Sequence, residues 1–207
     1  SMNFTILEIS IVTFLLAISG SVSQFPVGKI SDIYDRRKVI VFSSFGAAIF
    51  AILTILVSKQ MYLPEGLATS KTWFYIFLML FSFCSLPMFS LILAHTNDHI
   101  PKEKFVAAGA GLQFVFGLGA MSGPFLCSIF MDLVGSNGFF IFLFFFHSVI
   151  GIFGIYRMRI RKTVDNPDSQ FVAMPQTITP AGIELNPTTE PIAEPEKTHE
   201  KSLDSKI

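Results

Sequence analysis

The chain has 207 residues and no net charge, with 14% charged residues, 51% hydrophobic residues and 24 phenylalanines. A soluble domain carries about a quarter charged residues. Here the first 162 residues hold seven acidic and twelve basic side chains, and residues 163–207 hold eight acidic and three basic ones. Long runs without any charge exclude an ordinary soluble enzyme, a disordered protein and a nucleic-acid binder. What remains is an integral membrane protein with a short acidic tail.

Five segments are each long enough to cross a hydrocarbon core of ~30 Å, which takes about 20 helical residues. Residues 1–8 lack the positive region of a secretory signal, and the first span, residues 9–28, follows at once. Glu8 before it reads as interfacial, and Gln24 lies near its far end beside Pro26. A charged loop leads to the second span, residues 39–57, and a third covers residues 72–94. The run His95, Thr96, Asn97, Asp98, His99 follows, with two histidines at i, i+4. No third ligand stands in register with them, so helix ending and capping are the reading and no metal site is expected. The fourth span, residues 105–131, carries Gln113 in its first half and Gly109, Gly111, Gly117, Gly119, Gly123 and Pro124. Gly119 and Gly123 are four apart, a spacing that lets a second helix approach closely, and a Gly-Pro pair can kink a helix. Asp132 at its outer end reads as solvated. The fifth span, residues 138–156, contains a single ionisable side chain, His147. Cys84 and Cys127 lie inside spans, where a soft apolar residue is the default and a disulfide is not expected. Residues 163–207 include six prolines and lack apolar periodicity, so a disordered cytoplasmic tail is expected.

None of these spans alternates apolar and polar residues as a membrane barrel strand does. Helices are the remaining way to satisfy the backbone in lipid, which makes this an all-α membrane protein. Lys29, Arg36, Arg37, Lys38, Lys102, Lys104, Arg157, Arg159, Arg161 and Lys162 fall on one side of the five spans. Only Lys59 and Lys71 fall on the other. The positive-inside rule then places the C-terminus in the cytoplasm and the N-terminus outside; a bacterial inner (plasma) membrane is the expected location. An external N-terminus with an odd number of spans suggests that further helices precede this chain.

The first loop reads Gly28-Lys-Ile-Ser-Asp32-Ile-Tyr-Asp35-Arg36-Arg37-Lys38. It resembles the signature loop of the major facilitator superfamily, G-x-L-S-D-R-x-G-R-R, matching at Gly28, Ser31, Asp32, Arg36 and Arg37. Ile33 stands where that loop has Arg. Asp35 stands where it has Gly, replacing a residue free to adopt positive φ with one less suited to it. Read by themselves, Lys29 and the basic triplet from Arg36 to Lys38 are also what the positive-inside rule places beside any span. In the superfamily the loop is thought to latch two six-helix halves together, and an Asp against a helix N-terminus suits that role. The Gly-Pro helix is similar to the fifth and eleventh helices of the twelve-helix fold, where Gly119, Gly123 and Pro124 would serve packing or gating. Together these imply a partial major-facilitator fold: helices eight to twelve, the C-terminal half lacking its first helix. Helices two to six are the other placement that starts outside. The Gln24-Phe-Pro-Val-Gly28 run and the Phe171 to Pro187 stretch resemble the YcaD-type branch.

The resemblance implies a secondary transporter moving a small solute by alternating access, with ion or proton coupling. Its partners would be that solute, the lipid bilayer and the missing helices one to seven. Gln24, Gln113 and His147 are candidates for the substrate path, because intramembrane polar groups are costly. His147 has the right chemistry for a proton carrier. The resemblance puts it in an outer helix, which argues against a cavity position, so packing or an interhelical hydrogen bond is the expected role. No Walker loop is present, no catalytic cluster is visible within the spans, and no cofactor is expected. A non-transporting remnant, or a half-transporter needing a partner chain, is the competing reading.

Overall fold

The computed structural model describes residues 5–60, 67–160, 171–174, 179 and 182. Helix α1 (Ile6–Ile33) opens on a capping box: the Thr5 hydroxyl accepts the Glu8 N–H at 3.2 Å, and the Glu8 carboxylate accepts the Thr5 N–H at 2.8 Å. The same carboxylate pairs with Lys71 at 2.7 Å. Glu8, expected to be merely interfacial, therefore ties the starts of two helices together. Helix α2 (Arg36–Gln60) follows after a two-residue turn.

The third expected span is two helices rather than one: α3 (Leu67–Ser85) and α4 (Met88–Asn97). Pro87 separates them, since a proline inside a helix removes an N–H and crowds the preceding turn. The last bond of α3 runs from Leu86 N–H to the Ser82 carbonyl at 3.0 Å. The next turn resumes from Leu91 N–H to the Pro87 carbonyl, also 3.0 Å. A short 3-10 turn, Lys102–Lys104, leads into α5 (Phe105–Val134), and a second, Gly135–Asn137, leads into α6 (Gly138–Ile160). Gly135 has φ +75°, the left-handed region that glycine enters without a Cβ penalty. The chain reverses there: the Phe130 ring lies 5.6 Å from Phe142 and 6.0 Å from Phe145.

Among the described residues, four stretches are long and apolar enough to cross a membrane: Ile6–Ile33, Arg36–Ser58, Lys71–Asn97 and Lys102–Ile160. The last contains the α5–α6 hairpin. Helix α2 is central, packed against α3 on one side and α6 on the other. Beyond Arg36 and Val39 at its start, its buried positions are small: Ser43, Ser44, Ala47, Ala48, Ala51, Thr54 and Ser58. Lipid gives no hydrophobic drive to helix pairing, so close approach and dispersion hold such a bundle, and small side chains permit both. The Ser44, Thr54 and Ser58 hydroxyls donate to carbonyls of their own helix at 2.7–2.8 Å, which removes the cost of burying them. On α6, Gly151 faces Phe45 and Gly154 faces Val41, so α6 runs antiparallel to α2 and a Cβ at either glycine would crowd the contact. Helices α1 and α3 run parallel, from the Glu8–Lys71 pair at their starts to Gly20 against Leu86, and are tied between by Ser82 Oγ donating to the Leu16 carbonyl at 2.8 Å and Ser19 Oγ to the Met79 carbonyl at 2.7 Å.

These contacts bring Lys29, Arg36 to Lys38, Lys102, Lys104, Arg157 and Arg159 to one end of the bundle, here the basic end. The opposite end holds the Glu8–Lys71 pair and a contact of 3.1 Å between Ser58 Oγ and Asn137 Oδ1. A small core sits toward each end. Val27, Val39 and Leu91 form one, and Phe74 and Phe140 the other.

Candidate functional site

The basic end is built on the turn between α1 and α2. Ser31 Oγ donates to the Gly28 carbonyl at 2.7 Å in the last turn of α1, and Tyr34 N–H closes that turn on the Ile30 carbonyl at 2.9 Å. Tyr34 is extended (φ −110°, ψ 164°), and Asp35 directly precedes α2. The Asp35 carboxylate accepts the Arg37 backbone N–H at 3.0 Å, as a helix-capping side chain does. It also grips the Arg37 guanidinium at 3.1 and 2.8 Å. Asp35 in place of glycine is thus accommodated without left-handed backbone: among the described residues, no non-glycine residue has positive φ.

Arg36 is the hub. Its side chain is buried, with 6% exposure, and it joins its own helix, α2, to α1 and to the end of α4. Nη2 donates to Asp32 Oδ1 on α1 at 2.9 Å, Nη1 lies 3.4 Å from Ser31 Oγ, and Nε donates to Asp98 Oδ2 just past α4 at 2.9 Å. Asp98 is 12% exposed and Asp32 35%. Charge-assisted bonds in such a setting are about twice as strong as neutral ones, and the buried guanidinium depends on them. Sequence reasoning assigned Asp98 only a helix-ending role and missed this pairing. The histidines beside it behave as expected of a helix end: His99 Nδ1 donates to the His95 carbonyl at 2.8 Å, with the rings 4.6 Å apart.

Residues 171–174 cover this end. Phe171 N–H donates to Asp32 Oδ1 at 2.8 Å, and its ring fills the space beside Gly28 where a Cβ would stand. Ser90 Oγ accepts the Met174 N–H at 3.0 Å and donates to the Met174 carbonyl at 2.9 Å. Gln24 Oε1 lies 3.3 Å from the same hydroxyl. Most of the expected tail, residues 163–207, lies outside the described residues, but these four residues are held against α1 and α4.

The remaining candidates lie apart. His147 on α6 bridges to the α3–α4 break: its Nε2 is 3.0 Å from Ser85 Oγ and its Nδ1 is 2.8 Å from the Leu143 carbonyl. A carbonyl only accepts, so Nδ1 carries the proton, Nε2 is the acceptor and Ser85 the donor. The Phe81 ring packs edge-on at 5.3 Å. His147 is an interhelical tie at a helix break. Gln113 Oε1 is buried without a hydrogen-bond partner among the described residues. Helix α5 runs through Pro124 without interruption. A Cβ at Gly111, Gly117, Gly119 or Gly123 would meet nothing within 4 Å. Helix packing by Gly119 and Gly123 is therefore not made within the described residues, and Gly151 and Gly154 on α6 make the close approach instead.

The Major Facilitator Superfamily model matches residues 1–192. An uncharacterized MFS-type transporter of Yersinia enterocolitica is 24% identical over 160 residues, covering 77% of this chain. The match spans only 37% of that relative's own length. No solved structure matches.

Proposed function

This chain belongs to the Major Facilitator Superfamily, and we propose that it supplies most of one half of a secondary transporter that moves a small solute by alternating access. Membership in the family points to a transporter rather than an enzyme. Five membrane crossings are proposed: α1, α2, α3 with α4, α5 and α6. The basic end faces the cytoplasm of a bacterial inner membrane, by the positive-inside rule. Helices one to seven supply the first helix of this half and the whole second half, which completes the central cavity. The open glycine face of α5, with Gly119 and Gly123, suits close packing against helices of that half. Gln113, whose Oε1 is buried without a hydrogen-bond partner among the described residues, is the proposed contact to solute or to the second half. A broken helix near the middle of a span, here at Pro87 beside Ser85 and His147, is where transporters commonly place substrate or ion sites. Ion or proton coupling is part of the proposal, and lipid and solute are the partners.

The observation that carries this reading is the charged hub at the basic end. Arg36 joins α1, α2 and the end of α4 through Asp32 and Asp98, and Asp32 keeps an exposed edge that can accept N–H groups of an approaching helix. Such a contact forms in one state of a transport cycle and breaks in the other, and so sets the balance between them. The experiment is solute uptake by the complete transporter in proteoliposomes, screened over small solutes under a proton gradient. Asp32→Asn removes the charge that favours a helix N-terminus, a loss of ~0.3–2 kcal/mol. That slows uptake by roughly 2- to 30-fold with reconstitution unchanged. Uptake equal to the parent protein would show that the loop is only a topological anchor.

A further inference from the structure

Residues 171–174 read Phe-Val-Ala-Met, an apolar run inside a tail otherwise rich in acidic residues and proline. A solvated spacer has no use for such a run. Here it is seated by two kinds of contact that do not depend on each other. The Phe171 ring and the largely buried Met174 fill apolar space, Phe171 against the Val27, Val39 and Leu91 core. The backbone is read separately: Phe171 N–H by Asp32, and Met174 N–H and carbonyl by Ser90. The backbone contacts fall on α1 and α4 and the apolar core adds Val39 of α2, so the strap ties these helices together at the basic end.

The acceptor it uses is the informative part. Asp32 Oδ1 already receives Arg36 Nη2 at 2.9 Å, and the strap adds a backbone N–H at 2.8 Å. A free backbone N–H is also what the N-terminus of a helix presents to an anion. Gly28, the position that would let a second helix approach, is covered by the Phe171 ring. We propose that residues 171–174 form an autoinhibitory strap that occupies Gly28 and Asp32, and that the other half of the transporter must displace it in order to latch. The inference rests on the latch reading of that end. With the strap seated, the basic ends of the two halves are held apart; with the strap released, they close.

Two measurements on the complete transporter test it, with Cys84→Ser and Cys127→Ser as background. The first places cysteines by Ser90→Cys and Met174→Cys, whose parent Oγ and backbone atoms are 2.9–3.0 Å apart, and follows oxidative cross-linking in membranes. The pair cross-links readily, and adding Gly28→Ala slows the reaction by about tenfold, because the new methyl group displaces the Phe171 ring. Phe171→Ala slows it in the same way without altering α1. A cross-linking rate no faster than that of a Ser90→Cys, Thr179→Cys pair, or one indifferent to both substitutions, overturns the strap. The second measurement is the spin-label distance between Lys104→Cys and the cytoplasmic end of the other half. Cross-linking the strap shifts the population toward the separated state, and Phe171→Ala shifts it toward the closed state. If the cross-link forms and the distance distribution does not move while Asp32→Asn still moves it, the competition is wrong and the latch stands. If Asp32→Asn is silent in a protein lacking residues 171–174, the latch reading fails, and with it the competition, even where the cross-link shows the strap docked.

Discussion

Replacing Asp98 with alanine removes the carboxylate that ties the end of α4 to α2. Arg36 is 6% exposed and Asp98 12%, so their 2.9 Å contact is shielded from solvent. Hydrogen bonds to charged groups contribute about 1.5–3 kcal/mol, and orphaning one member of a buried pair costs about 3–5 kcal/mol. Asp98→Ala does not fully orphan Arg36, because Asp32 and Ser31 remain within reach. A loss of about 2 kcal/mol is expected, close to a 30-fold change in the unfolding equilibrium. Asp98→Asn keeps a hydrogen-bond acceptor and loses about half as much. Arg36→Met takes the buried cation away from both Asp32 and Asp98 and is the most damaging, at about 3 kcal/mol or more. The assay is reversible unfolding in lipid nanodiscs, run as a double-mutant cycle. Arg36→Met combined with Asp98→Ala is destabilised by less than the sum of the two, with a coupling of about 1.5–3 kcal/mol. An Asp98→Ala effect within about 0.5 kcal/mol, or an additive cycle, would refute the hub.

Ser85→Ala removes the donor to His147 and lowers stability by about 0.6–1.7 kcal/mol in the same unfolding assay, the range for hydrogen bonds between membrane helices. Gly151→Leu drives a side chain into Phe45 and destabilises by about 1–3 kcal/mol, whereas Gly119→Leu is tolerated by this chain's own fold and impairs only assembly with the second half, read by co-purification of the two halves. A cysteine at Gly66 labels from outside intact cells and one at Lys104 labels only after permeabilisation; the reverse pattern overturns the orientation. Deleting residues 186–207 leaves membrane insertion unchanged, as expected of an acidic, proline-rich segment, when insertion is scored by carbonate extraction.

The helices were legible because a charge-free run of about 20 residues has few other uses in a chain this apolar. The loop residues Ser31, Asp32, Arg36 and Arg37 stood out by their match to a known loop pattern, and Asp32 and Arg36 meet across the short turn between α1 and α2, where neighbours in sequence have little room to part. Asp98 was not, since its partner lies 62 positions away and only the packing of α2 against α4 brings them together. The Pro87 break had a visible signal, a proline inside a span, which a count of apolar residues overlooks. Small-residue spacing in α5 says that a close approach is allowed, not where the partner comes from, and the described residues make theirs on Gly151 and Gly154 instead. His147 looked like a proton carrier by residue type. Its ring nitrogens, facing Ser85 and the Leu143 carbonyl, give it first a structural task.

The central claim is that the basic end closes and opens against a second half as part of a transport cycle. The most direct measurement is the spin-label distance distribution between Lys104→Cys on this chain and the cytoplasmic end of the other half, in the complete protein in lipid. Two populations are predicted, with Asp32→Asn moving weight out of the closed one by roughly 2- to 30-fold. A single population that Asp32→Asn leaves unchanged would contradict the account.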